Sequence, residues 1–119
     1  MSLTVYQYTT CSTCRKALKF LDANNIPYTA VDITEKPPTK TELKQMLKHQ
    51  EGDLRKLFNT SGVQYRELNV KDKLPTMTET EALHLLSQNG KLIKRPFMLT
   101  ETRGFVGFKE DIWTRLLKP

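Results

Sequence analysis

The sequence predicts an α/β domain in which a mixed sheet of about four strands is flanked by helices and interrupted by an inserted helical subdomain. Three observations predict it. Residues 3–33 read as strand, helix, strand; residues 37–90 carry helical signals; and after Arg95-Pro96 two short apolar runs and a last helix follow.

The 119 residues suit one core rather than two. One domain is therefore expected over 1–119, its core from residues 1–36 and 91–119 and its insertion from 37–90. Residues 3–8 (LTVYQY) are β-prone and too short for a helix. A helix is expected from Ser12 to Asn25 with Ala17, Leu18 and Leu21 on one face; Asn24-Asn25 ends it and Pro27 bars continuation. Residues 28–33 (YTAVDI) make a second strand, and a right-handed crossover sets it parallel to the first.

Pro37-Pro38 interrupts the chain. Thr39 with Glu42 forms a capping box before an apolar stripe at Leu43, Met46 and Leu47. Short helical pieces follow around Leu54, Leu57 and Phe58 and over Tyr65 to Leu68, separated by a turn at Ser61-Gly62. Thr78 with Glu81 opens another helix, with Leu83 and Leu86 inward, which stops at Asn89-Gly90. Phe97-Met98-Leu99, a turn at Thr102-Arg103-Gly104, and Phe105-Val106-Gly107-Phe108 read as a hairpin. The last helix, Glu110 to Leu117, is expected to present Ile112, Trp113 and Leu116. This is the thioredoxin order of elements with a helical insertion.

Composition excludes several classes. With 38% hydrophobic and 27% charged residues, the chain is neither disordered nor fibrous. It has no apolar run near the roughly 20 residues of a membrane span. Its start, MSLTVYQYTT, lacks a signal peptide's basic and apolar regions. A cytoplasmic monomer without membrane contact is expected. The net charge of +6 is spread along the chain, without a basic tract or aromatic-interleaved motif. This favours anionic small molecules or an acidic protein patch over direct nucleic-acid binding.

The two cysteines, Cys11 and Cys14, form a Cys-x-x-Cys motif at the first strand-to-helix turn. In a reducing compartment such a pair is catalytic, redox-sensing or metal-binding more often than structural. A zinc site needs further ligands, and His49 and His84 lack a finger's spacing; two inert buried thiols are the other plain alternative. The location itself favours thiol chemistry. Only the thiolate is nucleophilic, and a helix amino terminus stabilises an anion through its unpaired N–H groups and dipole. Arg15 and Lys16 add two cations. Cys11 is thus the expected attacker, with the more buried Cys14 resolving a mixed disulfide. Arg95-Pro96 is expected opposite the dithiol. An Arg there either binds an oxyanion, holds a thiolate's charge, or is simply solvated before a strand-opening Pro.

In these residues and the motifs around them, the chain resembles the arsenate reductase–Spx family of thioredoxin-fold proteins. The resemblance rests on Cys11-Ser12-Thr13-Cys14-Arg15-Lys16-Ala17 following a tyrosine of the first strand, on Pro37-Pro38, and on Tyr65-Arg66-Glu67-Leu68-Asn69. It rests further on Leu92-Ile93-Lys94-Arg95-Pro96 and on Val106-Gly107-Phe108-Lys109-Glu110-Asp111. It implies that Cys11 is the nucleophile, that Pro96 is a cis proline, and that Arg95 is one of three arginines holding an oxyanion. Arg15, Ser12 and Thr13 join Arg95 as candidate anion- or thiolate-stabilising residues. The other two arginine positions fall on Asn59 and Phe108, and many reductases have Ser where this chain has Cys14.

The resemblance implies no bound cofactor, with electrons drawn from glutathione and glutaredoxin or from thioredoxin. It leaves two functions open. One is an arsenate reductase-like oxidoreductase acting on an oxyanion or a thiol/disulfide substrate. The other is a Spx-like redox sensor binding the C-terminal domain of the RNA polymerase α-subunit. Cys14, Phe108 after Gly107, and Gly52 favour the sensor; the chain's stop at Pro119, where those regulators continue, counts against it.

Overall fold

A computed structural model describes residues 3–117; the outer ends of the expected domain, residues 1–2 and 118–119, lie outside the described residues. Strand β1 (Thr4–Gln7) leads into helix α1 (Ser12–Ala23) and strand β2 (Thr29–Asp32). Helix α2 (Lys40–His49), a 3₁₀ turn at Leu54–Leu57, and the short helices α3 (Val63–Glu67) and α4 (Val70–Lys73) follow. A second 3₁₀ turn (Leu74–Thr76), helix α5 (Glu79–Gln88) and a third 3₁₀ turn (Gly90–Leu92) lead to β3 (Phe97–Leu99), β4 (Gly104–Val106) and helix α6 (Glu110–Leu117).

The four strands form one mixed sheet in the order β2-β1-β3-β4. β1 runs parallel to β2 and antiparallel to β3, which is antiparallel to β4. The fold is thus the expected α/β, thioredoxin-like one. Strand alternation sends side chains to two faces. Val5 and Met98 face a cluster with Ala17, Leu21, Trp113 and Leu117. Tyr6, Phe97 and Leu99 face a larger cluster with Leu43, Met46, Leu57, Leu86 and Ile93. β3 is buried along its whole length, so the segment that follows Arg95-Pro96 is fixed from both sides.

Both capping boxes form, with Thr39 accepting from the Glu42 N–H and Thr78 from the Glu81 N–H. Glu42 does more than cap, because its carboxylate also accepts from the Tyr6 hydroxyl at 2.9 Å, tying α2 to β1. Helix α1 ends as its asparagines require: Asn24 caps it, and Asn25 takes the left-handed backbone (φ 55°) that Asn tolerates.

The inward face of α6 and the end of β4 differ from the sequence expectation. α6 buries Trp113 and Leu117, four residues apart, while Ile112 and Leu116 are only half-buried. Trp113 meets Phe20 and Phe108 edge-on, which turns the helix by that much. β4 ends at Val106, since Gly107 adopts φ +75° and carries Phe108 off the strand. α4, where Val70 is buried, was masked in the sequence by its shortness and polar flanks. Phe58 of the helical insertion pairs with Ile93 beyond it in an isolated antiparallel bridge. Through it the Leu57 carbonyl accepts from the Lys94 N–H, and the Leu92 carbonyl from the Asn59 N–H, each at 2.8 Å.

Candidate active site

The loop 8–11 exists because β1 must hand over to α1 within a few residues. Its turn is closed by the Cys11 N–H donating to the Tyr8 carbonyl at 3.0 Å. Cys11 then occupies the cap position of α1 in extended backbone (φ −83°, ψ 111°), where Ser, Thr, Asp or Asn is usual. Its Sγ takes the capping role and accepts from the Cys14 N–H at 3.2 Å. A first-turn N–H with no intrahelical partner is thus aimed at the sulfur.

The two thiols, both free, differ in setting. Cys11 is part-exposed, whereas Cys14, in the first turn of α1, is 0% exposed. Burial pushes the Cys14 thiol up to about 12, and the hydrogen bond and charge of Cys11 push the same way. The Tyr8 backbone and the charge of Arg95 pull it back down.

The other candidates are placed as follows. Ser12 and Thr13 are the first exposed residues of α1. The Arg15 guanidinium donates to the Thr9 carbonyl at 3.0 Å, which steadies the loop ahead of Cys11. The Arg95–Pro96 peptide bond is cis. Register sets Tyr6 opposite Phe97, so β3 begins at the sheet end from which the Cys11 loop leaves. Arg95 reaches that loop, its Cζ 5.2 Å from the centre of the Tyr8 ring. Asn59 packs instead over Gly62, where an added Cβ would meet the Asn59 amide. The Phe108 ring packs tilted against Phe20 at 5.7 Å and edge-on against Trp113 at 4.8 Å. Neither Asn59 nor Phe108 contributes charge.

Two residues at this site carry no motif of their own. Tyr8 supplies both the carbonyl that closes the Cys11 turn and the ring under Arg95. Lys91 approaches the same ring, its Nζ 5.6 Å from the centre. The signals available in sequence were an aromatic ending the first strand and a lysine four residues before Arg95. Among the described residues there is no cluster of three His, Cys, Asp or Glu fit for a metal, and no helix long and apolar enough to cross a membrane.

A dithiol at a strand-to-helix turn, beside a cis proline that opens an antiparallel strand, defines a thioredoxin-like thiol protein. The chain belongs to the ArsC family, whose model matches residues 6–116. Among curated relatives it is 50% identical over 111 residues to the uncharacterized protein YusI of Bacillus subtilis strain 168, covering 93% of this chain and 94% of that one. It is 33% identical to the global transcriptional regulator Spx 1 of Oceanobacillus iheyensis, covering 97% of this chain and 86% of the relative.

Among solved structures, an ArsC family related protein from Bacteroides fragilis superposes with a TM-score of 0.91 at 49% identity, over 98% of both chains. A Streptococcus mutans UA159 protein described as a possible arsenate reductase superposes with a TM-score of 0.86 at 41% identity, over 92% of this chain and 96% of that one.

Proposed function

We propose that this protein is a thiol–disulfide oxidoreductase of the arsenate reductase-like kind, with Cys11 as nucleophile and Cys14 as resolving thiol. One observation carries the reading: the part-exposed Cys11 Sγ receives the N–H of the fully buried Cys14 at 3.2 Å. The Cys11 thiolate attacks one sulfur of a disulfide, forming a mixed disulfide and expelling the other sulfur as a thiolate, which takes up a proton. Cys14 then loses its proton and attacks the Cys11 sulfur. The second substrate thiolate leaves, and Cys11 and Cys14 remain joined by a disulfide. Glutathione with glutaredoxin, or thioredoxin, returns the two electrons.

Disulfides suit this site better than arsenate. A multiply charged oxyanion needs several fixed cations, and Asn59 and Phe108 supply none of the charge expected at those positions. The test is turnover of a neutral disulfide and of arsenate, each with a glutathione–glutaredoxin and a thioredoxin system. Disulfide turnover that is lost in Cys11→Ser, with arsenate reduction far slower, is expected. Absence of disulfide turnover with both systems overturns the reading.

A second reading, a Spx-like regulator, draws support from the relative named Spx 1 and from Gly52, exposed with φ +80° in the loop after α2. A pull-down with the C-terminal domain of the RNA polymerase α-subunit, under oxidising and reducing conditions, tests it. No binding in either state eliminates it.

A further inference from the structure

At Tyr8, three residues before Cys11, two cationic side chains share one aromatic ring. The Lys91 Nζ lies 5.6 Å and the Arg95 Cζ 5.2 Å from the centre of Tyr8, both within the range in which a ring face attracts a cation. Among the described residues neither cation has an ion-pair partner. The backbone at both positions is fixed, although the Lys91 side chain is exposed. Arg95 precedes the buried strand β3. Lys91 follows Gly90, which is buried and packed so closely on the Ile33 backbone that no Cβ would fit there. Tyr8 itself is bonded through its carbonyl to the Cys11 N–H.

Two like charges brought to one ring without a carboxylate between them repel, and an anion placed there relieves the repulsion. We propose that Lys91 and Tyr8, with Arg95, form an anion-selecting wall beside Cys11, so that the site favours disulfides carrying a carboxylate close to the reacting sulfur. This rests on Cys11 being the attacking thiol and names the substrate class for that reaction. Lys91 is the specificity-determining residue, restoring part of the positive charge missing at Asn59 and Phe108. A carboxylate on the sulfur's substituent offers one or two negative charges, which two cations can match.

The test uses single-event modification of Cys11 in a Cys14→Ser background, so it needs no turnover. Rate constants are measured with dithiobis-nitrobenzoate, a dianionic aromatic disulfide, and with dithiodipyridine, a neutral one. Lys91→Gln should lower the ratio of the two rates about fivefold, an effect that shrinks as salt rises. Lys91→Arg should keep the ratio. So should Lys71→Gln, an equal change of net charge on the exposed part of α4. An unchanged ratio in Lys91→Gln, or an equal fall in Lys71→Gln, overturns the proposal. Turnover of a neutral disulfide by the unaltered protein separately decides whether it is an oxidoreductase.

Discussion

The backbone N–H of Cys14 donates to the Sγ of Cys11 at 3.2 Å, so the amide of one cysteine holds the sulfur of the other. A covalent attack and its resolution can thus occur within a single helical turn. Cys14→Ser should leave the first step intact and trap a mixed disulfide on Cys11, read as an added mass in the intact protein after exposure to a small disulfide. Cys11→Ser should acquire no adduct, because Cys14 has no exposed surface. An adduct on Cys14 in that variant would remove the division of roles.

The setting of Cys14 also makes a pH prediction. Its thiol is pushed from 9.0 up to about 12, first by burial and then by its bond to Cys11. A group whose pKa is higher folded than unfolded keeps its proton when folded and loses it sooner when unfolded. Its stabilising contribution is present in full below the unfolded value and is lost as pH rises through the folded one. The denaturation midpoint should therefore fall from about pH 9 toward about 12. Tyr6 acts in the same direction, raised by burial and by its hydrogen bond to Glu42. Urea titrations across this range should show the fall, with shallower slopes in Cys14→Ala and in Tyr6→Phe. A midpoint that is flat with pH would contradict both assignments.

Glu42 closes a capping box with Thr39 and accepts from the Tyr6 hydroxyl. Thr39→Ala removes only the cap and should cost about 1 kcal/mol. Glu42→Ala removes half the box and strands the Tyr6 hydroxyl, which is 5% exposed as a residue, and should cost about 2 kcal/mol. Chemical denaturation separates the two. Equal losses would mean that the Tyr6 contact contributes nothing.

How much of this was legible beforehand depended on how local each signal was. Thr39-x-x-Glu42 and Thr78-x-x-Glu81 are chemistry within one helical turn, and both boxes form. The position of Cys11 at the cap of α1 likewise follows from strand propensity running into helix propensity. Tyr8 and Lys91 were not legible as a pair. They lie 83 positions apart in number, and only the antiparallel pairing of β3 beside β1 brings them together. The inward side of α6 is set by distant contacts of the same kind. Periodicity offered Ile112, Trp113 and Leu116, but the aromatic partners of Trp113, Phe20 and Phe108, come from distant segments and set the rotation.

Phe108 is held by aromatic packing. Its ring meets Trp113 edge-on at 4.8 Å and Phe20 at 5.7 Å, so it belongs to the packing between α1 and α6 rather than to the anion site. Such edge-on pairs add about 0.5–1.5 kcal/mol beyond the area they bury. Placing the missing charge there, as Phe108→Arg, should therefore destabilise the protein, by about 2 kcal/mol once lost apolar burial is included. Asn59 is a different case, since its amide lies over Gly62 in the turn before α3, at a half-buried surface. Asn59→Arg should be tolerated in stability. Denaturation midpoints for the two variants, read beside their arsenate turnover, check this directly. If Phe108→Arg kept full stability and gained arsenate reduction, the aromatic packing would be incidental, and position 108 would belong to the active site after all.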